Sequence, residues 1–188
     1  MASSSSLSLS FPHPELTPVS GEPTTASLRL LKKELCANAR QIHSTRGGGT
    51  NGHLQIMMTD VEHITRANVA FLVPVHPGDA PIHAAGATGL AIAETIRLFN
   101  VGVEEHRMYE TVTAELKQQL LKAVNTRHLQ VLEDHDFGFA DVSPRLMLTH
   151  LQDTYGQVTP DDIEQNRMRL SDEWNPDDPI DDVWNRIS

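Results

Sequence analysis

Ten histidines and a single cysteine are the residues of this 188-residue chain whose types most invite chemistry. Four of them, His53, His63, His76 and His83, fall in one loop-rich stretch, where neutral imidazoles could ligate a metal or relay a proton. Zinc sites set two ligands a few residues apart, or place His-Glu-x-x-His on a helix. Neither pattern occurs here. His76 and His83 flank Pro77-Gly78-Asp79-Ala80-Pro81 and would meet only through loop folding. The four are therefore expected to be polar loop residues and hydrogen-bond partners, with no metal and no cofactor.

Other candidates fail on spacing or context. Arg46-Gly47-Gly48-Gly49-Thr50-Asn51-Gly52-His53 has the glycine content of a phosphate-cradling loop, but such a loop closes on Lys followed by Ser or Thr, and His53 and Leu54 stand there. A flexible connection is expected instead. Gly86 and Gly89 lack the first glycine of a dinucleotide fingerprint. Asp153-Thr154-Tyr155-Gly156 approaches an Asp-Thr-Gly triplet with a tyrosine inserted, but the apolar spacing before it puts Asp153 in the last turn of a helix, not in a loop between strands. No Gly-x-Ser-x-Gly elbow occurs, and Cys36 sits inside a helical pattern, where a lone cysteine acts as a small core residue. No catalytic residue is assigned, and the chain is read as non-enzymatic.

What remains is packing, and the spacing of apolar residues sets out the elements. Leu28, Leu31, Leu35, Ala39 and Ile42 trace one face of a helix whose other side carries Arg29, Lys32, Lys33 and Arg40. After the glycines come two short apolar segments, Leu54 to Met58 and Val69 to Val75, separated by the polar stretch Thr59 to Asn68. Short apolar runs read either as strand or as buried helix, and Phe71, Val73, Pro74 and Val75 favour an extended segment, so the expected fold is mainly α with a loop-rich insertion that has room for two short strands. Helical spacing resumes at Thr88 through Leu90, Ile92, Ile96 and Phe99, with a kink or break expected at Asn100 and Gly102. Tyr109, Val112, Leu116, Leu120 and Val124 then form one helical face. Ser143-Pro144 reads as an N-cap followed by a first-turn proline, opening a helix that buries Met147, Leu148, Leu151 and Tyr155 and ends at Gly156. Thr159-Pro160 repeats that start signal for a third helix with Ile163, Leu170 and Trp174 on its buried side, and a fourth from Asp178 carries Ile180, Val183, Trp184 and Ile187.

Composition limits the classes of function. Residues 1–24, rich in Ser, Pro and Thr and without Lys or Arg, are expected to be a disordered tail, and residues 25–188 one helical domain. No run approaches the roughly 20 apolar residues of a membrane-spanning helix, so no membrane partner is expected; the single cysteine fits a reducing compartment, and a cytoplasmic or nuclear location is the default. The net charge of −10 argues against sequence-independent nucleic-acid binding by the whole surface. That charge is unevenly placed. Arg29, Lys32, Lys33, Arg40 and Arg46 meet only Glu34, whereas Asp161 to Asp182 holds nine acidic residues against Arg167 and Arg169. Such polarity can orient one subunit against the next. Both tryptophans, Trp174 and Trp184, flank the acidic turn Asn175-Pro176-Asp177-Asp178-Pro179, as anchors for a partner or as part of the chain's own core.

The succession from Tyr109 to Val124, Ser143-Pro144 to Tyr155-Gly156, Thr159 to Trp174 and Pro179 to Ile187 resembles the Gag polyprotein region of copia-type LTR retrotransposons. The likeness takes in Leu30-Leu31-Lys32-Lys33-Glu34-Leu35, Gly47-Gly48-Gly49 with Gly52-His53-Leu54, and Phe71 to Gly78, and spans residues 25 to 187. It implies a capsid-like helical domain that self-associates into particles packaging element RNA. Members of that family often continue into a Cys-Cys-His-Cys zinc knuckle or a basic tail. With one cysteine and an acidic end, this chain is expected to be a copy truncated at its C-terminus, with RNA as a partner by resemblance but not by charge. The expected interface comprises Met147, Leu151, Tyr155, Trp174, Ile180, Val183, Trp184 and Ile187, in a homo-oligomer. The alternative is a monomeric helical adaptor that takes a peptide or helix into an apolar groove.

Overall fold

The computed structural model describes residues 9–47, 49–83, 85–157, 163–164 and 167–168, and the chain is mainly helical. Helix α1 (Thr25–Gln41) starts at a reciprocal cap, in which Thr24 Oγ1 accepts from Ser27 N at 3.2 Å and Ser27 Oγ accepts from Thr24 N at 2.9 Å. Helix α2 (Asp60–Ala67) is capped likewise by Thr59 and Glu62 and closes on Asn68, whose φ of 56° is left-handed. Helix α3 (Gly89–Ala123) has 35 residues, about 52 Å at 1.5 Å per residue. In α4 (Pro144–Tyr155), Ser143 accepts from Leu146 N at 3.1 Å, Pro144 fills the first turn, and Gly156 N closes onto Gln152 O, as the sequence predicts.

The core lies where α1, the C-terminal half of α3, and α4 meet. Leu28, Leu31, Leu35 and Ala39 of α1 face Val112, Leu116, Leu120 and Ala123 of α3, and Met147, Leu148 and Leu151 of α4 close the third side. Full burial of each of these Val, Leu and Met side chains contributes about 1.5–3 kcal/mol. A 3-10 turn, Leu54–Met57, plugs one end with Ile56 and Met57. Arg145 Nη1 donates to Met58 O at 2.6 Å and ties α4 to that turn.

Several expectations are corrected. Helix α3 runs unbroken through Asn100 and Gly102. A mid-helix glycine costs only about 1 kcal/mol, too little to break the helix, and Pro77 packs beside Gly102, where a Cβ would sit 3.5 Å from Pro77 Cγ, an ordinary contact. The two short strands do not form. Residues 54–57 are 3-10 helix, and residues 69–75 are extended without a partner strand, Leu72 N bonding instead to Arg46 O at 2.8 Å. Among the described residues the only β-bridges are the isolated pairs Ser44–Gly49 and Asp134–Gly138. The polar stretch Thr59 to Asn68 is α2, whose caps at both ends outweigh its shortness.

Two segments read as loose are tied down. The glycine-rich connection is a packed turn. His53 N donates to Ala39 O at 2.9 Å, and Gly52, with φ of 53°, lies so close to the carbonyls of Arg40 and Ile42 that no side chain fits. Of the stretch expected to be a disordered tail, residues 9–24 pack against α1 and α3. Leu16 is in the core, Asn38 exchanges hydrogen bonds with His13 N (2.9 Å) and His13 O (2.7 Å), Glu34 accepts from Thr17 N and Oγ1, and Val19 N donates to Ala123 O. Pro12, Pro14, Pro18 and Pro23 restrict the unfolded chain and reduce the entropy that ordering must overcome.

Candidate interaction surface

The four histidines of the central region divide into two kinds. His53 and His63 are buried, and both rings approach Phe71, at 6.1 Å and 5.7 Å between centroids; Tyr109 of α3 completes the cluster, 6.2 Å from Phe71. His53 Nδ1 donates to Ile42 O at 2.9 Å, which fixes its tautomer, and burial pushes its pKa below the ordinary imidazole value. Neither ring nitrogen of His63 has a hydrogen-bond partner among the described residues. His76 is exposed; its Nδ1 accepts from Gly78 N at 3.1 Å, and its ring stands edge-on to His106 at 5.3 Å. His83 is half-buried. No three His, Cys, Asp or Glu side chains among the described residues are grouped so as to hold a metal. The cluster pins the extended segment 69–77 to α3; it is a packing device that brings no nucleophile to a base. Burial also raises the pKa of the Cys36 thiol and of the Tyr109 phenol, which keeps both protonated near neutral pH.

Of the residues expected at an interface, Met147 and Leu151 are fully buried in the chain's own core. Tyr155 is half-buried, its hydroxyl 3.0 Å from His128 Nδ1 and its ring edge-on to that imidazole at 5.0 Å. Trp174, Ile180, Val183, Trp184 and Ile187 lie outside the described residues, as does most of the third helix. Ile163, expected on that helix's buried side, is 57% exposed.

The open apolar surface lies elsewhere. Where α3 passes beyond the core toward its N-terminus, Leu90 is 83% and Leu98 56% exposed, and Ile96 and Val101 are each 42% exposed. The neighbouring extended segment adds Val75 and Ile82, at 80% and 98%. Ile92, Ile96, Phe99 and Val103 are spaced four, three and four residues apart, the seam spacing of a helix that packs lengthwise on another helix. Among the described residues Ile96 is left 42% exposed, and the other three are half-buried. Exposed apolar side chains along one helical segment mark a candidate interaction site. Sequence spacing identifies the helical face but not its fate, because a break at Gly102 would have let this segment fold back onto the core. Comparison of the chain with protein-family models, with curated proteins and with solved structures gives no match. Among the described residues, no helix is long and apolar enough to cross a membrane.

Proposed function

We propose that the chain is a structural, non-enzymatic assembly protein, Gag-like in role, whose copies associate through the projecting N-terminal half of α3. The observation that carries this reading is the seam Ile92, Ile96, Phe99 and Val103, incompletely covered among the described residues, on a helix that is otherwise a core element and that leaves Leu90, Leu98 and Val101 exposed on its other side. A helical segment of this length is marginal alone in water and draws most of its stability from tertiary packing. A second copy of α3 offers the same seam spacing, so two arms laid side by side bury Ile92, Ile96, Phe99 and Val103 against one another about a twofold axis. The resemblance to copia-type Gag supports the same role. The net charge of −10 weighs against packaging of RNA by this surface as a whole.

Size-exclusion chromatography with light scattering, followed by negative-stain microscopy, tests the proposal. The expected result is a dimer or larger species that Ile96→Asp converts to monomer without loss of helical circular dichroism. A strict monomer at high concentration overturns it.

A further inference from the structure

Along the outer side of α1 lies a groove of about 520 Å³ bordered by Arg29, Lys32, Lys33 and Arg40, with Arg66 of α2 facing them. Leu54 and Met58 form its apolar floor beside Cys36. Among the described residues no carboxylate lines it. Glu34, the sole acid of α1, is buried and bonded to Thr17, and Glu62 is held by Thr59 N and Oγ1 at 2.8 and 2.9 Å. None of the five cations takes part in an ion pair among the described residues. Five cations with no ion pair among the described residues, around an apolar floor and in a chain of net charge −10, call for an occupant that is both acidic and apolar.

The chain carries one. Residues 172–184 contain Asp172, Glu173, Asp177, Asp178, Asp181 and Asp182 with no Lys or Arg among them, interleaved with Trp174, Ile180, Val183 and Trp184. The route is short as well. Thr25 Oγ1 donates to Gly156 O at 3.4 Å, so the chain leaves α4 beside the first residue of α1, one turn from Arg29. Fifteen residues separate Gly156 from Asp172, which reach about 22 Å even if wholly helical, against about 16 Å from Arg29 to Arg40 along α1. A tether that spans its target gives the attached segment a high effective concentration and favours it over the same segment of another copy.

We propose that this groove is the docking site for the chain's own acidic, tryptophan-bearing segment 172–184. The carboxylates meet the cationic rim, and the indoles lie on the floor of Leu54 and Met58 beside the aliphatic stems of the lysines. The proposal is independent of self-association through α3. It uses the opposite property of the molecule, charge complementarity in place of an apolar seam.

The segment holds both tryptophans of the chain and the groove its single cysteine, so the unmodified 188-residue chain carries its own probes. At low salt the tryptophan emission is expected to be blue-shifted, and alkylation of Cys36 by a neutral maleimide to be several-fold slower than at high salt. At about 1 M salt, where charges are screened beyond roughly 3 Å, the emission shifts to the red and the reaction accelerates. Lys32→Glu with Lys33→Glu produces the same red shift, as does Asp177→Lys with Asp178→Lys, and the combined variant recovers most of the wild-type emission. All of this holds across a dilution series. Circular dichroism and a cooperative urea transition confirm that each variant is folded. Emission of exposed tryptophan in the wild type at low salt overturns the proposal, as does emission indifferent to the reversals or a blue shift lost on dilution. Binding of a single-stranded oligonucleotide that requires Lys32 and Lys33 but leaves the tryptophan emission unchanged assigns the groove to a polyanion, and also overturns it.

Discussion

Between Tyr109 and Ala123, α3 turns Val112, Leu116 and Leu120 fully into the core, whereas between Gly89 and Val103 the same unbroken helix leaves Leu90, Leu98 and Val101 largely in solvent. Both halves are rich in apolar residues at helical spacing, so periodicity does not separate them. The difference lies in what surrounds each half. The C-terminal half has α1 and α4 against it, while among the described residues the N-terminal half has the segment around Pro77 beside it. A core face and an interaction face can therefore read alike in sequence, and only the positions of the other elements tell them apart.

That contrast can be broken or sharpened by substitution. The largest effect is expected from Leu116→Ala, which opens a cavity in the core and lowers stability by about 2–5 kcal/mol. Leu98→Ala in dilute solution changes stability by no more than about 0.5 kcal/mol. Urea denaturation of the two variants side by side checks the pair, and equal losses would erase the distinction between the halves. Ser143→Ala removes the cap of α4, an element that packs only on the buried half, and is expected to cost about 1 kcal/mol. Gly102→Ala probes the junction between the halves. Its new methyl meets only Pro77, at an ordinary contact distance, so the gain in helix propensity, about 0.5–1 kcal/mol, should appear as a higher urea midpoint. A helix broken at that point would show no gain.

The smallest effect concerns the cluster that fastens the extended segment to α3. Burial holds His53 below its ordinary pKa, with the Ile42 carbonyl acting against it in part, so the unfolded chain takes up a proton that the folded chain resists. Stability from this residue is complete above about pH 6.5, the unfolded value, and declines as pH falls below it toward the folded pKa. Urea midpoints measured against pH should show that decline in the wild type and a shallower one in His53→Gln. An unchanged slope would contradict the assignment.

Much of the core was legible in the sequence. The faces Leu28-Leu31-Leu35-Ala39 and Val112-Leu116-Leu120 and the start signal Ser143-Pro144 depend on local spacing and local caps, and each stands where the spacing puts it. Features that depend on distant partners were not legible. Residues 9–24 looked too polar to order, because the groups that satisfy them, Glu34, Asn38 and Gln119, lie in helices far along the chain. The glycines at 47–52 looked flexible, because nothing local reveals that the carbonyls of Arg40 and Ile42 close over Gly52. Met147 and Leu151, expected at an interface, are buried in the chain's own core; helical spacing shows a buried face without showing whether the same chain or another buries it.

Amide hydrogen exchange, followed separately for residues 89–103 and 112–123 at low and high protein concentration, tests most directly whether a second copy covers the projecting half of α3. The account predicts that protection of 89–103 rises with concentration while that of 112–123 stays high and constant. Protection of 89–103 that does not change with concentration, in a protein whose measured mass remains that of a monomer, would contradict it.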